Sequence, residues 1–262
     1  MVGDFCTFTR GASELMATTL VILVGGIEDV KDKDIKNVSL VLMYIFRFVS
    51  GAHANPCVSI SCYFMGYLAS KLMLIYVACQ VLGAGLGYLL LMRILPQEGA
   101  QIVCQNEPLD SSIQIVAIEW LLTSVNVLGY CALWDIRSCG WMYLGSLRRE
   151  LLVTACSFVG VQLTGGSINP VKTLVQGHPG LVWLQLTGQL LASIMMPKIW
   201  QNAYMPCYRS LQKPIQTRKP QAVKGNCGYR VCGLFDQVYV QLNINDKQFA
   251  VAWRQSRSDK HI

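Results

Sequence analysis

Two asparagines, Asn55 and Asn169, are each followed directly by proline, in the stretches GAHANPCVSI (51–60) and GGSINPVKTL (165–174). Each pair follows a glycine-bearing turn and precedes an apolar run, and the two asparagines lie 114 positions apart. Proline has no N–H and suits the first helical turn, so Pro56 and Pro170 predict two short helices starting there. Asn55 and Asn169 would then stand at the positive ends of both helices and offer side-chain N–H groups. Two donors beside two positive helix ends orient a passing water or hydroxyl oxygen and repel protons and cations. This chemistry is hydrogen bonding to a small neutral solute, without bond making. The chain carries no H-E-x-x-H, nucleophile elbow or carboxylate pair suited to catalysis. Its eleven cysteines and three histidines show no metal-ligand spacing. No enzyme activity, metal or cofactor is therefore expected.

The elements that must position these turns are membrane helices. Residues are 53% hydrophobic and only 14% charged, against roughly 25% charged in a soluble domain. The apolar residues form long runs, which predicts an all-α, multi-pass membrane protein. Six spans are expected, at about Phe5–Ile27, Asn37–Val49, Ala69–Leu95, Ile113–Leu133, Leu151–Leu163 and Pro179–Trp200. Half helices follow each Asn-Pro, at about Val58–Leu68 and Val171–Gln176.

The halves repeat one another. Glu14 and Thr18 in the first span match Glu119 and Thr123 in the fourth, and Gln80 in the third matches Gln189 in the sixth. Three spans per half make the repeats inverted across the membrane. The second span is the defect: Glu14 to Asn55 is 41 positions, whereas Glu119 to Asn169 is 50. Asn37–Val49 has only thirteen residues and includes Arg47, short of the roughly 20 needed to cross a bilayer.

Residues 1–200 carry twelve Lys/Arg and twelve Asp/Glu, so residues 201–262 hold the whole net charge of +7. That divides the chain into a transmembrane domain, 1–200, and a basic tail, 201–262. The loop with Arg137, Arg148 and Arg149 is cytoplasmic by the positive-inside rule, and both termini with it. The tail can rest on anionic lipid, and no nucleic-acid partner is expected. Alternating runs around Asn245 and Asp246 signal a hairpin.

With these residues in view, the chain resembles the aquaporin (major intrinsic protein) family over about Glu14–Trp200. SGAHANP and TGGSINP are similar to the family's two Asn-Pro-Ala boxes, and Glu14, Glu119 and the ACQVLGAG stretch also match. Cys57 and Val171 stand where the family has alanine, which with the VCQNEP loop resembles the divergent superaquaporins. The cysteine those relatives carry after the second box is absent.

The resemblance implies a six-helix bundle with two half helices, a passive pore for water or small neutral solutes such as glycerol and hydrogen peroxide, and a homotetramer in lipid. It implies that Glu14 and Glu119, with His53 and Gln80, buttress the loops that carry the Asn-Pro turns. It places the outer constriction at Ser157, Gly166 and Lys172, where the family has His, often Cys, and Arg. Those replacements imply a wider filter that keeps its positive charge but loses the planar fork of donors. The Cys57 sulfur is expected close to the lumen. The alternative is a non-conducting membrane protein that keeps this fold for a structural or trafficking role, favoured by the short second span. The superaquaporin likeness leans toward the endoplasmic reticulum or another intracellular membrane, with the plasma membrane also open.

Overall fold

The computed structural model describes residues 2–31, 45–96, 111–134, 145–177 and 179–204. Among these all regular structure is helical. The helices are α1 (Val2–Lys31), α2 (45–50), α3 (Pro56–Phe64), α4 (Ser70–Ile94), α5 (Ser112–Trp134), α6 (Gly145–Thr164), α7 (Pro170–Gln176) and α8 (Val182–Ile199). Stretches Phe5–Ile27, Ser70–Ile94 and Ser112–Trp134 are long and apolar enough to cross a membrane.

Several boundaries differ from the sequence expectation. Helix α1 continues through Glu28 and Asp29 to Lys31, and α6 begins at Gly145, so Arg148 and Arg149 are helical, not loop. Charge marks where a segment leaves lipid, whereas helix ends are set by breakers and caps, so the two need not coincide. Helix α3 stops at Phe64, four residues early. Of the short second span only 45–49 lies among the described residues, within helix α2. The expected tail hairpin and the VCQNEP loop lie outside them.

Burial departs from that of a soluble protein, since large polar side chains share the interior with the apolar core. Glu14, Gln80, Ser59, Glu119, Thr173 and Gln189 are fully buried, while Phe5, Phe8, Leu82, Leu89, Ile113 and Trp183 are exposed. An apolar exterior with the polar groups kept inside is what a bilayer demands, because such groups need protein partners there.

Glycines let the long helices approach. A Cβ on Gly83 or Gly87 of α4 would lie 2.5 Å from the Leu15 or Thr19 carbonyl oxygen of α1. In the second half, a Cβ on Gly188 of α8 would lie 2.5 Å from the Val116 carbonyl oxygen of α5. Backbone contact of this kind is the small-residue packing of membrane helices. It brings α1 onto α4 and α5 onto α8, so each glutamate faces the glutamine of its own half. Pro197 interrupts the N–H ladder near the end of α8, and a π-helical turn, Trp200–Tyr204, follows.

Candidate functional site

The two Asn-Pro turns meet. Asn55 Oδ1 accepts from the Cys57 N–H at 2.9 Å and Asn169 Oδ1 from the Val171 N–H at 3.2 Å, so each asparagine caps its own short helix. Pro56 and Pro170 are the first residues of α3 and α7. Asn55 Nδ2 donates to the Ile168 carbonyl at 3.0 Å, and Asn169 Nδ2 donates to the Ala54 carbonyl at 2.9 Å. Each amide therefore bonds the residue preceding the other asparagine, and the N-termini of α3 and α7 converge on one spot.

The loop backbones are strained in register. Ala52, Ala54 and Ile168 have φ of 48°, 44° and 51°, and Gly51, Gly165 and Gly166 have 90°, 87° and 56°. Positions one, three and four before each asparagine are thus left-handed. For the β-branched Ile168 this is a genuine outlier, costing about 1–3 kcal/mol. Such a loop persists only where its surroundings over-determine it.

Those surroundings are two polar clusters built alike. Glu14 accepts from the Ser50 hydroxyl at 2.6 Å, the His53 N–H at 2.9 Å, the Ala54 N–H at 2.8 Å and Gln80 Nε2 at 2.8 Å. Glu119 accepts from the Thr164 hydroxyl at 2.6 Å, Gln189 Nε2 at 2.8 Å and the Ile168 N–H. Gln80 Nε2 also reaches Ser59 Oγ at 3.0 Å, and Gln189 Nε2 reaches Thr173 Oγ1 at 3.0 Å. Ser59 and Thr173 each lie four residues after an asparagine and bond its carbonyl, at 3.5 and 3.1 Å. His53 Nδ1 pairs with Ser59 Oγ at 3.1 Å, and the ring packs edge-on to Tyr76. Ser59 and Thr173 are functional positions beyond those expected from the sequence. The signal was present: a hydroxyl residue four positions after each asparagine.

Cys57 departs from expectation. Its side chain is fully buried and Sγ contacts the Gln189 carbonyl oxygen at 3.4 Å, so the sulfur faces α8 and not an open passage. Position two of a helix points away from the residue that caps it, which turns this thiol into the bundle. Val171 is equally buried and packs with Ile22 and Ala84.

Gly166 lies in the second loop, Lys172 on its half helix α7, and Ser157 on α6. A Cβ on Gly160 of α6 would lie 2.7 Å from Gly166 Cα, so α6 passes directly against that loop. Ser157, three residues earlier on α6, is half-buried, as is Lys172 on α7, while Gly166 is buried. In the sequence, Arg149 reads only as an orientation charge. It is buried, and its Nη1 donates to the carbonyls of Gly51 at 3.2 Å and Ala52 at 3.4 Å. The pairing of α6 with the first loop carries no sequence signature.

The chain is similar to known proteins in sequence and in fold. The sequence model of the family described as Major intrinsic protein matches residues 7–187. The chain is 29% identical over 185 residues to aquaporin-2 of Rattus norvegicus, covering 68% of each chain. It is 28% identical over 165 residues to aquaporin TIP4-2 of Zea mays, covering 60% of this chain and 62% of that one. Its fold is similar to the X-ray structure of the aquaglyceroporin from Plasmodium falciparum, with TM-score 0.62, 16% identity, and 78% of this chain and 99% of that chain covered.

Proposed function

The chain belongs to the major intrinsic protein family, and on that premise we propose that it conducts water and small neutral solutes, including glycerol and hydrogen peroxide, passively between its two Asn-Pro turns. Membership makes it an integral membrane channel for water or small solutes, not an enzyme. The finer reading is carried by one observation, the reciprocal bonds from Asn55 to Ile168 and from Asn169 to Ala54. An amide NH2 has two donors. One of each is held by the opposite loop, and the other is available to an oxygen passing between them.

In this reading six spans and two half helices form an inverted repeat, with α3 and α7 directing their positive ends at the midplane. Glu14 and Glu119, with Gln80, Gln189 and His53, hold the loops. Ser157, Gly166 and Lys172 form the outer filter, and both termini, with the 201–262 tail, are cytoplasmic. The subunits assemble as a homotetramer. Osmotic swelling of proteoliposomes with water, glycerol and hydrogen peroxide tests this. Flux above protein-free vesicles for water and at least one of the solutes is expected. Flux indistinguishable from empty vesicles for all three would leave the second reading, a non-conducting membrane protein of the same fold. The short second span, thirteen residues with Arg47 among them, favours that second reading.

A further inference from the structure

The first Asn-Pro loop has two faces. The N–H groups of His53 and Ala54 turn toward Glu14. The carbonyls of Gly51, Ala52 and Ala54 turn the other way, the first two to Arg149 and the third to Asn169. The left-handed φ of Gly51, Ala52 and Ala54 produces this separation. In the channel reading, a solute leaving the two asparagines toward the first loop would pass this carbonyl face. Arg149 already occupies it.

The guanidinium is held there from two sides. Nη1 spans two successive carbonyls, and Cζ lies 5.6 Å from the centroid of the Tyr130 ring on α5. A cation over an aromatic face is attracted by the ring quadrupole, so α5 and the loop fix the group jointly. Along α6, Arg149 precedes Cys156 by seven residues, two turns or about 10 Å of rise. Cys156 packs on Ile168 of the second loop. One helix face therefore carries a guanidinium at the first loop and, two turns on, lies against the second loop, whose half helix carries Lys172. A charged side chain buried in a membrane bundle is expensive and tends to mark a pathway.

Resting on the channel reading above, we propose that Arg149 is a further specificity-determining residue, on the first-loop side of the asparagine pair. It narrows the first-loop side of the pathway, competes with the solute for the Gly51 and Ala52 carbonyls, and repels cations there. The filter is then bipolar in position, with one cation on each side of the asparagine pair.

The test is flux in proteoliposomes for the wild type, Arg149→Gln and Arg149→Lys, each confirmed as folded by thermal melting in detergent. Arg149→Gln should raise water and glycerol flux several-fold over the wild type. Its potassium leak should rise about tenfold or more, as removal of a unit charge within a few ångströms of a passing ion implies. Arg149→Lys should keep potassium excluded while raising neutral flux, because one ammonium cannot span both carbonyls in the fork geometry of a guanidinium. Equal nonzero flux in wild type and variants would overturn the role of Arg149 and leave the channel standing. Zero flux in all three would overturn both. If Arg149→Gln does not fold, Arg149→Lys with wild-type neutral flux overturns the proposal by itself.

Discussion

Gln80 and Glu14 are joined across α4 and α1 by a 2.8 Å bond, and the same Glu14 carboxylate takes two backbone N–H groups from the first Asn-Pro loop. One buried side chain thus ties two long helices and a strained turn into a single unit. Removing it strands several donors at once, each at about 1–3 kcal/mol when buried. Glu14→Ala should lower the melting temperature markedly and reduce the yield of folded protein from detergent. A melting temperature within a degree or so of the wild type would show that the loop does not depend on Glu14.

The glycines of α4 divide by face. Gly83 lies against the Leu15 carbonyl, whereas a Cβ on Gly85 would meet nothing within 4 Å. Gly83→Ala should force α1 and α4 apart and destabilise by about 1–3 kcal/mol, while Gly85→Ala should melt like the wild type. Equal melting temperatures for the two variants would show that the close approach contributes nothing.

Mercurials should not act through Cys57. Its thiol is enclosed and directed at the Gln189 carbonyl. Inhibition of flux, where it occurs, should persist in Cys57→Ala at the wild-type dose. Relief of inhibition by that substitution would mean that the thiol reaches the pathway.

Ser59 and Thr173 each link a helix glutamine to the turn of their own half helix. Thr173→Val keeps the shape and removes the hydroxyl. It should cost about 1–3 kcal/mol, since both the bond to the Asn169 carbonyl and the acceptor of the Gln189 amide are lost in a buried setting. In a double-mutant cycle, Thr173→Val with Gln189→Leu should destabilise by less than the two single losses summed. Strict additivity would show that the pair is not coupled.

Lys172→Ala should raise cation leak, with neutral-solute flux similar or increased, because the lysine lies on the first turn of α7, three residues after Asn169. A variant that is folded and conducts water, with cation conductance unchanged, would remove Lys172 from the filter.

Much of this protein is written in its sequence because local chemistry dictates it. Asn-Pro ahead of an apolar run suits a capped helix start, so both short helices and their starting residues are legible without coordinates. Glu and Gln inside apolar runs can only face the bundle, and the repeated order of Glu14, Asn55 and Gln80 with Glu119, Asn169 and Gln189 exposes two similar halves. Apolar length marks the spans, yet it misplaces helix ends such as Lys31 and Gly145, because lipid thickness and hydrogen-bond termination are separate constraints. Which carbonyl each asparagine bonds, which way the Cys57 sulfur turns, and where the Arg149 guanidinium comes to rest depend on contacts between residues about 100 or more positions apart. Those contacts follow from how glycine faces let the helices approach and how the left-handed turns aim their carbonyls. No local pattern encodes that geometry, so only the tertiary structure decides it.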